Sequence, residues 1–345
     1  MQPGTTPPRT TLVRDVVAQL DAVTGGRMSA DPGPDNPWHV VKSSGLPGKA
    51  VTETPGLVIG DPDAPVHRLA VAMSVTEHDI ELANAIGVDL IVAHHPLADA
   101  ASSGGVPLSD YLPPYGVSVI ECHEAFHGLH PGIGHLHGHV PFSHHGSFGG
   151  VHGKVVMIGR PLAQVRTLGD VLDRLRAMLA RSVDEQVLSS EREARGGIPL
   201  WDSVTSPGMR IVHGSAQTPL GDVVIHAFPH TGFNADDLDA LLGEHPSAGT
   251  LVLSISSACE VDALVTRARE RGLSVVVGSS HATEILENGL PLAHCLRRLL
   301  PGVEVLLFRG RVVAMALDDA ATGELDDYGR QMAEHLLPAE GRWTA

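Results

Sequence analysis

The chain has 345 residues, 43% of them hydrophobic and only 3% aromatic, with 38 glycines and 25 prolines. That is enough apolar material to pack one large domain or two joined lobes, and it excludes a disordered chain. Forty acidic against twenty-four basic residues give a formal charge of −16, which repels nucleic-acid phosphates and anionic lipid, and no basic patch reverses the field.

The first fifteen residues, "MQPGTTPPRTTLVRD", lack a basic segment followed by an apolar one, and no apolar run approaches the roughly 20 residues that span a bilayer. We therefore expect a cytoplasmic protein with a small-molecule substrate and no membrane or nucleic-acid partner. Cys122, Cys259 and Cys295 are far apart and odd in number, which suggests neither a disulfide framework nor a thiolate zinc site. Histidine, with 21 copies, is the unusual count.

Residues 1–10 read as a mobile tail, Leu12 to Val23 as a first helix, and 26–55 as a long Pro/Gly-rich loop. "GLVIG" and "RLAVAMS" are short apolar strands. Ser74 with Glu77 offers a capping box for a helix over "EHDIELANAI", which Gly87 stops before the strand "VDLIVA". Strand, helix and strand in so short a span form a βαβ crossover, which implies a parallel sheet. The next strand, "GVSVIE", ends in "CHEAFH".

From His123 to His152 nine residues are histidine, and we read this as a His- and Gly-rich loop near the site. "KVVMIG" resumes strand, and Thr167 with Asp170 caps a helix over "LGDVLDRLRAMLAR". Residues 182–207 are polar and irregular. "MRIVHG" and "DVVIHAF" suggest a hairpin or adjacent strands. "ADDLDALLGEH", "TLVLSI", "EVDALVTRARERG" and "LSVVVG" then alternate helix and strand, and "SSHATEILENG" opens another helix. "VEVLLF" and "RVVAMAL" form a closing strand pair. The expected organisation is an α/β protein of two lobes of mixed sheet, 11–155 and 156–320, with a terminal helix and tail over 321–345.

The chemistry gathers past strand ends. His94 and His95 would face opposite sides of a continuing strand, but Pro96 turns the chain there, so both rings can bend into one crevice. Taken alone the pair is either a metal corner or two ordinarily hydrogen-bonded histidines. "CHEAFH" adds His123 and His127 with Glu124 between them, and "HATE" adds His281 and Glu284 on one helix face. Three such segments, each beyond a strand, point to a shared metal site. Cys122 is read as a buried strand-end thiol rather than a nucleophile. No Gly-x-Ser-x-Gly elbow, Walker loop or dinucleotide fingerprint occurs.

The strand running into His-His-Pro-Leu, "DLIVAHHPL", with "GLVIG" before it, "VVMIGRPLAQVRTLGDVLDRLRAML" in the middle and "VVVGSSHATE" late, resembles the NIF-three-like (NGG-one interacting factor three) family, also catalogued as type 2 GTP cyclohydrolase I. The resemblance covers most of the chain. It implies an α/β fold with two metal ions in a cleft between lobes, and a homo-oligomer, commonly a hexamer. It makes His94 and His95 ligands and Glu284 a bridging carboxylate. His127 stands where the family has a metal-binding Asp, and Ser280 where its late histidine lies, so His281 substitutes from one residue later. Imidazoles with one carboxylate suit Fe, Zn, Co or Ni better than Mg or Ca; iron or zinc is expected.

Such a centre acidifies bound water and polarises a carbonyl or imine. The leading expectation is a metal-dependent hydrolase or cyclohydrolase acting on a small polar or heterocyclic substrate through a metal-bound hydroxide. Glu284 and His123 are its catalytic candidates, and His130 and His230 are spare proton carriers. Two alternatives use the same ligands: a non-haem di-iron redox enzyme, and a metal-binding or regulatory protein without turnover.

Overall fold

The computed structural model describes residues 10–26, 28–29, 40–43, 50–53, 55–95, 113–122, 132–151, 154–178, 209–254, 262–278, 289–308, 314–316 and 323–336. In chain order the elements are helix α1 (Val13–Val23), strands β1 (Val40–Ser43), β2 (Ala50–Glu53), β3 (Gly56–Ile59) and β4 (Arg68–Ala72), helix α2 (Glu77–Ala85), strands β5 (Leu90–Ala93) and β6 (Ser118–Glu121), helix α3 (Gly132–Leu136), strands β7 (His139–His145) and β8 (Val156–Pro161), and helix α4 (Leu168–Met178). There follow strands β9 (Arg210–His213) and β10 (Val223–Ala227), helix α5 (Ala235–Glu244), strand β11 (Ala248–Leu253), helix α6 (Ala263–Glu270), strand β12 (Ser274–Val277), helix α7 (Leu290–Leu299), strands β13 (Glu304–Phe308) and β14 (Ala314–Ala316), and helix α8 (Gly323–Leu336). The protein is α/β, with two mixed six-stranded sheets and flanking helices. No described helix is long and apolar enough to cross a membrane.

The first unit comprises Met1–Phe126, Leu292–Leu317 and Asp326–Ala345. Its sheet has the order β14-β13-β4-β5-β6-β3. β13, β4, β5 and β6 run parallel, and β14 and β3 close the edges antiparallel. All four residues of β5 are buried, as expected for a parallel strand covered on both faces. Ile80 and Ala83 of α2 pack on Ala70, Ala72, Ile91 and Ala93. Burial of the Ile80 side chain alone contributes about 1.5–3 kcal/mol.

Helix α2 begins two residues later than the Ser74–Glu77 box would set it. Its cap is Thr76, whose hydroxyl accepts from the Asp79 amide at 3.4 Å while Asp79 Oδ2 accepts from the Thr76 amide at 2.8 Å. Aspartate is short enough to close this box from the third helical position, so Glu77 falls inside the first turn. Gly87, at φ +70, ends the turn after the helix as expected.

The second unit comprises His127–Pro291 and Asp318–Leu325. Its sheet has the order β7-β8-β10-β11-β12-β9. The three central strands β10, β11 and β12 are parallel, and α5 and α6 connect them. Leu238, Leu241, Leu264, Val265 and Ala268 of these helices pack on Ile225, Leu251, Leu253, Val275 and Val277. Alternation then leaves Val224, His226, Val252, Ser254 and Val276 to the other face. Thr167 and Asp170 cap α4 as read: each amide donates to the other side chain, at 2.9 and 3.2 Å.

Four expectations are corrected. β9 and β10 are not neighbours: β9 pairs with β12 at the sheet edge, because residue order across a long connection does not dictate pairing. The β13–β14 pair exists, but it completes the first sheet, where β13 lies parallel to β4, and Leu292–Leu317 therefore belongs to the first unit. The stretch 26–55 contains an antiparallel pair, with Val41 opposite Thr52. The His-rich stretch is not all loop, since α3 and β7 lie within it and β7 pairs with β8 from His139 to His145. The irregular segment 182–207 and the helix opening at "SSHATE" lie outside the described residues.

Candidate metal centre and a buried histidine chain

β5 ends at Ala93, and the next two residues are the histidine pair. The His94 amide donates to the Ala72 carbonyl at 2.9 Å and the His95 amide to the Met73 carbonyl at 2.6 Å, so the end of β4 holds the backbone of both. Their ring centroids lie 5.0 Å apart with planes at 89°. His94 is buried and His95 half-buried. Both imidazoles thus stand at the carboxyl end of a central parallel strand, where open α/β sheets place their binding crevices.

Sequence reasoning passed over Glu121, the last residue of β6. It is in register with Ala93 and is 7% exposed, a buried acid one strand from the histidine pair. The signal was present in "SVIE", an apolar strand that ends in a carboxylate. Cys122 beside it is buried, and burial, reinforced by Glu121, pushes its thiol up to about 12, so it is no nucleophile at neutral pH. Cys295 is buried and likewise pushed up to about 12 by burial.

Two imidazoles at a strand end are nitrogen donors of the kind that iron or zinc takes. Among the described residues no group of three or more His, Cys, Asp or Glu converges as a metal ion requires. His123, His127, His281 and Glu284 lie outside the described residues, as do His130, Ser280 and Cys259. His230 is described and exposed, in the turn Pro229–Thr231.

The second unit holds a feature that sequence reasoning missed. His137, His139, His226 and Ser254 are 1%, 0%, 0% and 0% exposed and form one hydrogen-bonded chain. His137 Nδ1 lies 2.7 Å from the Ile133 carbonyl, which can only accept, so Nδ1–H donates. In a neutral ring Nε2 then accepts, and the Ser254 hydroxyl donates to it at 2.9 Å. Ser254 Oγ in turn accepts from His226 Nε2–H at 2.6 Å, and His226 Nδ1 accepts from His139 Nε2–H at 2.9 Å. The ring of His226 also stacks on Phe228, with centroids 4.8 Å apart at 19°.

Among the described residues His139 Nδ1 has no hydrogen-bond partner, and it abuts Gly159, where an added Cβ would come within 2.2 Å of it. Burial, with the neighbouring His137 and His135, pushes His139 down to about 3, and burial, with His137 and His139, pushes His226 well below its ordinary value. Burial and the Arg174 guanidinium push His135 down to about 4 against the opposing pull of Glu324. The chain was legible in part: His135, His137 and His139 alternate with small or apolar residues, and His226 occupies an inward position of "DVVIHAF".

Residues 49–101 match the model of a family described as Duf34/NIF3 (NGG1p interacting factor 3), and that span carries the His94–His95 pair. No curated protein matches the sequence. Among solved structures the chain is similar to reduced HcgD from Methanocaldococcus jannaschii, at 12% identity and a TM-score of 0.52, covering 87% of this chain and 98% of that one. It is also similar to the Staphylococcus aureus hypothetical protein SA1388, at 13% identity and a TM-score of 0.51, covering 87% and 97%. A Bacillus cereus protein related to NIF3 aligns at 12% identity and a TM-score of 0.50, covering 88% and 98%. At these identities the likeness is one of fold.

Proposed function

From the premise of a NIF3-like chain, given by its fold and by the family match over residues 49–101, we propose a metal-dependent hydrolase or cyclohydrolase acting on a small polar or heterocyclic substrate. The observation that supports it is the pairing of His94 and His95 at the end of β5, rings 5.0 Å apart and backbones held by β4. These two residues, with His127, His281 and Glu284, would hold one or two divalent ions, iron or zinc by the softness of the donors.

The chemistry such an ion supplies when bound is Lewis acidity, which brings a coordinated water to a pKa of about 7 and polarises a carbonyl or imine. The chain's own residues do the rest. β4 and β5 fix the two imidazoles through the amide bonds of residues 94 and 95. Glu284 would serve as a carboxylate ligand or accept a proton, and His123 would carry protons to and from the leaving group. The strand ends would hold the backbones of His94 and His95 in place.

The test is metal content after purification of the full chain without chelators, compared with His94→Ala and His95→Ala. The proposal expects bound iron or zinc in the parent and its loss in each variant, with thermal unfolding little changed. Full metal retention in either variant, or a parent without metal, overturns it.

A further inference from the structure

We propose that the crevice at the carboxyl ends of β4 and β13 is a binding site for a small planar ligand with paired N–H donors, an amidine or an amino-substituted nitrogen heterocycle. The first observation is topological. From β4 the chain moves outward through α2 to β5 and then β6, whereas β13 arrives on the other side of β4 from far downstream. All four strands are parallel, so the strand order reverses at β4. Connections that leave in opposite directions open a gap above the strand ends at such a point.

The second observation is that the gap exists. A cavity of about 440 Å³ lies there, lined by Ala72, Met73, Ser74, Thr76, Asp79 and Phe308 among others. That is a volume suited to a small ligand. It adjoins the histidine pair, because the Met73 carbonyl that accepts from the His95 amide belongs to a lining residue.

The third observation sets the ligand's chemistry. Asp79 is 6% exposed, and its Oδ2 is taken by the Thr76 amide at 2.8 Å and the Thr76 hydroxyl at 2.6 Å. Oδ1 has no partner among the described residues, although Asp79 lines the cavity. Two acidic residues in the first turn of α2 oppose an anion at the helix N-terminus, which excludes a phosphate or carboxylate ligand. A buried carboxylate that lines the cavity selects a molecule that donates. The thioether of Met73 and the ring of Phe308 supply apolar walls for a flat ring.

The inference deepens the proposed function by naming a substrate class, and it rests on that function only for what becomes of the bound molecule. Benzamidine, a planar ring bearing an amidinium, is the probe, titrated calorimetrically into the full chain stripped of metal. Saturable binding is expected, weakened about tenfold or more in Asp79→Asn, which turns the free acceptor into a donor or a neutral group. Ser74→Trp, which leaves the Thr76–Asp79 cap untouched, should abolish binding by filling the crevice. No saturable binding, equal binding of benzoate, or undiminished binding in Ser74→Trp overturns the site. If Asp79→Asn unfolds, Ser74→Trp and benzoate still decide. Benzamidine binding in a chain that takes up no metal would leave the crevice standing and the metal-dependent function overturned; metal uptake without benzamidine binding would do the reverse.

Discussion

His226 Nε2 lies 2.6 Å from Ser254 Oγ, and this contact joins the ends of two parallel strands through a fully buried serine. Because the far end of the chain is fixed by the Ile133 carbonyl, every proton along it has an assigned place. The opposite direction would require two protons on His137. Long-range proton–nitrogen correlation spectra at neutral pH should therefore show His137 as the Nδ1–H tautomer and His139 and His226 as the Nε2–H tautomer. An Nδ1–H signal from His226 would reverse the chain.

The same burial gives the second unit a defined acid sensitivity. His139, His226 and His135 have folded values below their ordinary 6.5, so the unfolded chain binds protons that the folded one does not. Their stabilisation is present above pH 6.5 and is lost as pH falls toward about 4 for His135 and about 3 for His139. Each contributes a slope of about 1.4 kcal/mol per pH unit inside its window. Urea unfolding followed from pH 7 to pH 5 should show stability falling with acid, and His226→Gln should flatten the slope. A pH-independent midpoint across that range would contradict the neutral chain.

Gly159 has a separate reason to lack a side chain. An added Cβ would meet His139 Nδ1 at 2.2 Å and the Val140 carbonyl at 2.9 Å. Gly159→Ala should cost about 1–3 kcal/mol by overpacking, read as a lowered denaturation midpoint. Combining it with His139→Ala should cost less than the sum of the two single changes, since one contact is shared. Strict additivity would mean that the carbonyl, not the ring, sets the limit.

Ser254→Ala tests the centre of the network. It removes the hydroxyl that pairs with both His226 Nε2–H and His137 Nε2, both buried, and should destabilise the chain by about 2 kcal/mol or more. Ser254→Thr keeps the hydroxyl and should retain the tautomers. Loss of the tautomer signature in the threonine variant would show that the hydroxyl is not what orders the rings.

What was legible in the sequence is local. Apolar runs such as "LIVA" and "LVL" gave strands, the Thr167–Asp170 spacing gave a cap, and the turn after "LIVA" gave the histidine pair at a strand end on which the proposed metal site rests. What was not legible depends on pairing between distant residues. Nothing near Glu304 indicates that β13 lies beside Arg68–Ala72, and the hairpin expected of β9 and β10 fails because β9 finds its partner in β12. The histidines of α3 and β7 misled for a different reason. Imidazole is polar enough to suggest a loop by composition, yet neutral and hydrogen-bonded it packs inside a sheet face. The alternation over His139–His145 carried the strand; the count of histidines concealed it.

The central claim is that His94 and His95 hold a metal ion. Anomalous X-ray diffraction at the iron and zinc edges, from crystals of protein purified without chelators, tests it most directly. The account predicts a peak about 2.0–2.1 Å from a ring nitrogen of each histidine. A structure with both imidazoles well ordered and no anomalous peak beside them, or with the metal elsewhere in the chain, would contradict it.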